Sequence, residues 1–316
     1  MIGFEGPLVI LAPGLSFNTA ACAMFSGHPE LYGLLETQLF ARAGMSDWLG
    51  DFGTGVLSHG LLRTVAQLQF GEQSPRSVKY AKRWTLNRGD VSTASVFGDL
   101  VGTVQPRIVI ECSALNAYQT ASMRRILESF PDARFVHLTR HPVAYGDALL
   151  QLFRSQVAGK NYARARALLG NPESVLYGLF DEHTDDARPD PLRLWRARHS
   201  AILAFTDTLT SDQCRRVRVE DLFTRPSTTL QTVTSWLGIR SDPGAIEPML
   251  HPERWEFACL GPWNARLGGD VSFLRAPGIP ALELLSSALD QTVPLSEDAL
   301  PLSHGVQELA RLFGYC

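Results

Sequence analysis

The sequence predicts an α/β protein, a three-layer domain with a central parallel sheet. Four short runs, Leu8–Ala12, Arg107–Glu111, Arg134–Thr139 and Arg215–Glu220, read as strands buried on both faces. Longer segments with helical spacing separate them, and strands alternating with helices favour a parallel sheet covered on both sides. No repeat, low-complexity tract or Gly/Ser linker divides the 316 residues, so one domain over 1–316 is expected.

The elements follow in order. Leu8–Ala12 runs through a turn into a helix, Thr19–Ser26. Thr120–Phe130 carries Met123, Ile126, Leu127 and Phe130 at helical spacing. Val143–Phe153 and Leu192–Leu209 come next, then Pro226–Leu237 with proline in its first turn. Gly305–Phe313 starts after Ser303, a suitable N-cap. Two regions break the rhythm. Residues 40–105 are Gly-rich and read as irregular, and residues 155–191 end in an acidic, proline-broken run from Asp181 to Pro191. Both are expected to form an acceptor pocket or lid over the mouth of the sheet.

Charge and composition exclude several roles. A net charge of −3 provides no general basic field for nucleic acid or an acidic membrane. Apolar stretches such as Pro7–Pro13 are too short to span a bilayer, and Met1–Gly6 lacks a basic secretory n-region. Cys22, Cys112, Cys214, Cys259 and Cys316 are scattered without CxxC spacing, which argues against a disulfide framework or a metal site and for the cytoplasm. Only three of the 29 basic residues are lysine, Lys79, Lys82 and Lys160, so any lysine chemistry must come from these.

In open parallel sheets ligands sit at the carboxyl ends of the strands. The first such end reads Ala12-Pro-Gly-Leu-Ser-Phe-Asn-Thr19 and leads into a helix, whose free N–H groups and dipole favour an anion. On its own this turn is an ordinary strand–helix connection. It is followed in order by His28-Pro-Glu-Leu-Tyr32, Arg134-Phe-Val-His-Leu-Thr-Arg-His-Pro142, Trp195, Arg218-Val-Glu-Asp-Leu222, Trp236-Leu-Gly-Ile239 and Glu308-Leu-Ala-Arg-Leu-Phe-Gly-Tyr315. The ordered set resembles the sulfotransferases that use 3′-phosphoadenosine 5′-phosphosulfate (PAPS), with a P-loop NTPase-like fold. Arg140-His-Pro142, and Leu31-Tyr followed by Glu36, resemble the sulfotransferase domains of polyketide synthases, which sulfate a hydroxyl on a carrier-bound chain.

This resemblance implies sulfuryl transfer from PAPS to a hydroxyl of a natural product or of an acyl-carrier-protein-bound substrate. It implies Glu36 as the general base, Ser16, Asn18 and Thr19 at the sulfate, and Arg140 at the 3′-phosphate. Arg266 is a second phosphate ligand and Trp263 a stacking platform for the base. The chain departs from the family pattern at four positions. Leu15 stands for the loop arginine, Phe17 for the close-approach glycine, Cys112 for a lysine, and Ala148 for the serine eight residues after Arg140. Gln38 replaces a histidine of the polyketide-type domains, and Lys79, Lys82, Arg83 and Arg88 are candidates for the missing charge. A second expectation is therefore a PAPS-independent enzyme on the same fold, using Glu36 or a Cys112 thiolate on an acyl or thioester substrate. A third is a binding protein without catalysis. Cys112 also reads as a buried filler, and His137 and His141 as structural histidines.

Overall fold

The computed structural model describes residues 6–158, 169–180, 189–281, 293–295 and 298–315. Five strands, β1 (Leu8–Leu11), β2 (Leu31–Gly33), β3 (Ile108–Glu111), β4 (Arg134–Thr139) and β5 (Cys214–Arg218), form one parallel sheet in the order β2-β3-β1-β4-β5. Leu8 of β1 pairs with Ile110 on one side and Arg134 on the other. All four residues of β1 and of β3 are buried, as strands enclosed by helices on both faces must be. The chain crosses in opposite directions on either side of β1, which opens a crevice at the carboxyl end of that strand.

The strand and helix expectations hold with small shifts in their ends. Helix α1 (Asn18–Ser26) follows β1. Residues 40–105 differ from the expectation. They fold into α2 (Met45–Phe52), α3 (His59–Phe70), α4 (Pro75–Leu86) and α5 (Thr93–Val104). Their glycines are largely punctuation: Gly44 precedes α2, Gly53 ends it, and Gly71 ends α3 with φ 70°. Ser74 caps α4 in a reciprocal capping box with Ser77. Helices α6 (Thr120–Ser129) and α7 (Pro142–Ala158) flank β4, and α8 (Pro191–Thr206) precedes β5. The run 181–188 lies outside the described residues.

Beyond Arg218 the predicted fourth strand turns into α9 (Val219–Thr224), because the Glu220 carboxylate accepts the His141 N–H (2.8 Å) and the Tyr315 hydroxyl (2.9 Å). Next come α10 (Pro226–Leu237), two short helices, α11 (Pro243–Ile246) and α12 (Val271–Arg275), and a hairpin of β6 (Val293–Leu295) and β7 (Asp298–Leu300). The last helix, α13 (His304–Leu312), packs Val306, Ala310 and Phe313 with Trp195 of α8 and Tyr145 of α7 in a second apolar cluster. No helix among the described residues is long and apolar enough to cross a membrane.

Between the two clusters His137 and His199 share a ring-to-ring hydrogen bond of 2.9 Å. Neither His137 Nδ1 nor His199 Nε2 has a partner among the described residues. Burial holds both imidazoles neutral, pushing His199 down to about 3 and His137 well below its ordinary value. A depressed imidazole pKa gives stability that is complete above about 6.5 and is withdrawn as pH falls toward 3, at about 1.4 kcal/mol per pH unit per group. Replacing His199→Phe should therefore flatten the fall of the thermal midpoint between pH 6.5 and 4 relative to the parent chain. Parallel curves would refute this.

Candidate active site

The loop after β1 keeps the strand–turn–helix form. No backbone N–H from Leu15 to Ala20 is donated to a described residue, so a row of free amides opens at the start of α1. Leu15 and Phe17 both hold left-handed backbone, at φ 69° and 61°. That region costs a side-chain-bearing residue about 1–2 kcal/mol, and glycine would occupy it freely. The Phe17 ring is held in place from two sides. It meets Phe223 edge-on at 5.4 Å, and the Arg140 guanidinium lies 4.5 Å from its centroid. Arg140 is buried, and its Nη1 donates to the Leu15 carbonyl. The Tyr118 hydroxyl accepts the Gly14 N–H at 3.1 Å and braces the start of the loop.

Glu36 comes from the segment after β2, and its neighbours are fixed one by one. Its N–H donates to the Gly268 carbonyl at 2.8 Å. The Thr37 hydroxyl donates to the buried Glu111 carboxylate (3.0 Å), and the Gln38 N–H donates to the Ser113 hydroxyl (2.9 Å). Glu111 also accepts the Ser113 N–H and the Asn116 amide. Two glycines allow this backbone to approach closely. A Cβ on Gly60 of α3 would overlap the Glu36 carbonyl, and one on Gly268, at φ +125°, would lie 2.8 Å from the Gly60 Cα. One turn beyond Gly60, the buried Arg63 guanidinium is held by the Leu267 and Cys259 carbonyls and by Gln73. It has no carboxylate partner among the described residues, and burial pushes it down to about 10.

A cavity of about 350 Å³ joins the loop to this carboxylate. Its walls include Leu15, Phe17, Asn18, Thr19, Glu36, Gln38, Leu57, Leu115, Tyr118, Leu152, Val175 and Asp270. Desolvation pushes Glu36 up to about 7, and the nearby Asp270 charge adds to the rise. The Gln38 amide, donating to Glu36 Oε2 at 3.0 Å, and the Ala114 backbone oppose it. Such a group is balanced to accept a proton near neutral pH.

The structure brings together Glu36, Asn18 and Thr19 of the expected residues. Thr19 Oγ1 accepts the Asp270 N–H at 2.7 Å, and Ser16 is buried beneath the loop with its hydroxyl unpartnered. Arg266 is exposed and Trp263 is 82% exposed; neither lines the cavity. Cys112 meets neither requirement for a nucleophile. It is fully buried, donates to the Leu34 carbonyl, and its thiol is pushed well up by Cys22 and burial, as befits a core filler. His141 is likewise buried and pushed down to about 4. Lys79, Lys82 and Arg83 are exposed on α4, and Arg88 pairs with Asp99 and stacks on Trp84, so none of them reaches the cavity. Asp270, Tyr118, Gly60 and Gly268 escaped the sequence reading. The run Leu267-Gly-Gly-Asp270 carried a signal, since paired glycines before an N-cap acid mark a close backbone approach.

The residues at the donor end do not fit a PAPS nucleotide. Among the described residues no lysine or arginine lines the cavity, whereas three carboxylates do: Glu36, Asp270 and Glu173. Arg140 faces the loop and Phe17, and Ala148, eight residues on, carries no hydroxyl. Two substitutions probe the wall that remains. Gln38→Ala removes a donor that favours the charged carboxylate, so Glu36 should titrate above 7 in a carboxyl-carbon NMR titration. Gly60→Ala should cost about 1–3 kcal/mol by overpacking, measured by denaturant unfolding, and should speed exchange of the Glu36 amide.

The chain matches the sulfotransferase family over residues 16–243. No curated protein is matched by sequence. Among solved structures, the sulfotransferase domain from the curacin biosynthetic pathway is 21% identical with a TM-score of 0.76, covering 99% of this chain and 98% of that one. The sulfotransferase domain from the Synechococcus PCC 7002 olefin synthase is 22% identical with a TM-score of 0.69, covering 99% and 97%. These likenesses establish the fold along nearly the whole chain, and the family match, from residue 16 onward, includes Glu36 and Arg140. The protein belongs to the sulfotransferase family.

Proposed function

We propose that this sulfotransferase-like enzyme activates a substrate hydroxyl through Glu36 and dispenses with the sulfate donor of its family. One observation carries the reading: the Glu36 carboxylate, near pKa 7, is fixed on the wall of a small, largely apolar cavity that no basic side chain lines among the described residues. With no basic side chain among the described lining residues to neutralise a phosphosulfate, the electrophile arrives on the substrate. An acyl thioester meets that need. Glu36 takes the hydroxyl proton, the oxygen bonds to the acyl carbon, and the carbon–sulfur bond breaks. The departing thiolate then recovers the proton from Glu36, giving an ester and a free thiol. The biosynthetic names of both similar structures support a natural-product or carrier-bound acyl substrate.

The second reading is sulfuryl transfer from PAPS to the same hydroxyl. The row of free amides from Leu15 to Ala20 favours it, since such a row suits an anion.

Calorimetric titration with 3′-phosphoadenosine 5′-phosphate separates the two. Absence of binding at millimolar nucleotide is expected. Micromolar binding that Arg140→Ala abolishes would make sulfuryl transfer the function. In parallel, a panel of hydroxyacyl thioesters read by mass spectrometry should yield donor-independent ester formation. Glu36→Gln should slow it about a hundredfold or more, and conversion that survives this substitution would rule out Glu36 as the base.

A further inference from the structure

β5 is the last strand of the sheet, so one of its edges pairs with β4 and the other meets no described strand. The Gln213 carbonyl accepts the Phe135 N–H at 2.7 Å, and in a parallel pair alternate residues bond to the same neighbour. Arg215 and Val217 therefore turn their peptide groups to β4, and Cys214 and Arg216 turn theirs outward. Among the described residues nothing takes the Arg216 N–H or carbonyl. A groove of about 460 Å³ runs along this edge. Arg215 shares an adjoining recess with Thr228 and Trp236 of α10, whereas its neighbour Arg216 donates to the Leu312 carbonyl (3.1 Å) at the end of α13. Successive side chains of a strand point to opposite faces, so α10 and the end of α13 form the two banks.

Four arginines line the groove: Arg215, Arg216, Arg218 and Arg225. Asp221 is the one carboxylate lining it among the described residues, and Arg218 and Arg225 already share it. Arg216 is held by neutral groups, the Leu312 carbonyl and the Phe313 face at 4.8 Å. Positive charge is thus gathered on one sheet edge of a chain whose net charge is −3. None of these residues lines the Glu36 cavity.

We propose that this groove docks an extended acidic segment of a partner protein, which adds to the sheet beside β5 and sets its carboxylates against the arginines. Main-chain bonds to the outward peptide groups hold such a segment, and the arginines select it by charge. A second copy of the same edge does not fit, because arginine would face arginine. A nucleic acid would meet the charge, but its phosphates accept hydrogen bonds and are repelled by the outward carbonyls. A polypeptide brings donors and acceptors together.

The test titrates the full chain by calorimetry at pH 7 and low salt with four probes. These are an octapeptide of alternating Thr and Glu, its Thr–Gln and Thr–Lys counterparts, and octathymidylate. The Thr–Glu peptide should bind at least about tenfold more tightly than each of the others, and rising salt should weaken it. Arg215→Gln with Arg225→Gln should remove most of that preference at an unchanged thermal midpoint, since neither side chain is buried. Arg225→Gln alone, exposed and outside the strand, should weaken binding in the same direction. Bound Thr–Glu peptide should slow amide hydrogen exchange over residues 213–218. Equal binding of Thr–Glu and Thr–Gln, no binding at millimolar peptide, tighter octathymidylate, or a preference that survives both variants overturns the proposal. So does acidic-peptide binding that leaves exchange over 213–218 unchanged, because charge without strand pairing would then account for it.

Discussion

The packing of one backbone segment between two glycines determines what the site can be. Glu36 is held where the α3 backbone at Gly60 and the loop backbone at Gly268 approach closely enough to exclude side chains. The buried Arg63 holds that loop from the same helix by its carbonyls. The next residues are anchored in turn by Glu111 and Ser113 at the end of β3. Glu36 is thus fixed by elements that lie far apart in sequence, and its position does not rely on the loop that follows β1. Its carboxylate keeps its place whatever residues that loop carries.

The residues of that loop are packed as one unit with Arg140. A buried cation without a partner is in a costly state. Arg140 has partners in the Leu15 carbonyl and the Phe17 face. Phe17 in turn rests on Phe223 of α9, so the ring that fills the glycine position is supported from below. Leucine at position 15 and phenylalanine at 17 accept left-handed backbone at a cost, and these contacts offset it. The departures seen one by one in the sequence form a single packed arrangement in space.

Much of the fold was legible because it is local. The sheet followed from β-branched runs with both faces buried, and the helices from their spacing and end signals. β2 was missed because three residues give no period to read. Helices α2 to α5 were missed because glycine was counted as irregularity, whereas Gly44, Gly53 and Gly71 bound helices and Gly50, Gly60, Gly98 and Gly102 lie inside them. The spacing of Val96, Leu100 and Val104, four residues apart, was the better guide to α5. The site was legible only in part. Glu36, Asn18 and Thr19 came from the ordered motifs, whereas Asp270 is brought against Glu36 by a tertiary contact that no local pattern encodes. Cys112 illustrates the limit from the other side, since its place at a strand end is real but its thiol points into the core.

The electrostatics of the cavity follow from what has been removed. A lysine or arginine beside Glu36 would hold its carboxyl ionised well below neutrality and make it a weak base at pH 7. With leucine at 15, cysteine at 112 and no replacement from α4, desolvation and the Asp270 charge dominate, and the carboxyl rises to about 7. The absence of a basic side chain beside Glu36 among the described residues and the raised carboxyl pKa are therefore one physical effect. The same wall carries the Glu36 and Asp270 carboxylates, and among the described residues the free amides of the loop are the groups left to meet an anion. In a sulfotransferase fold the charge at this mouth can vary without rearranging the sheet, because it is set by a few side chains at strand ends and in the loops that follow them.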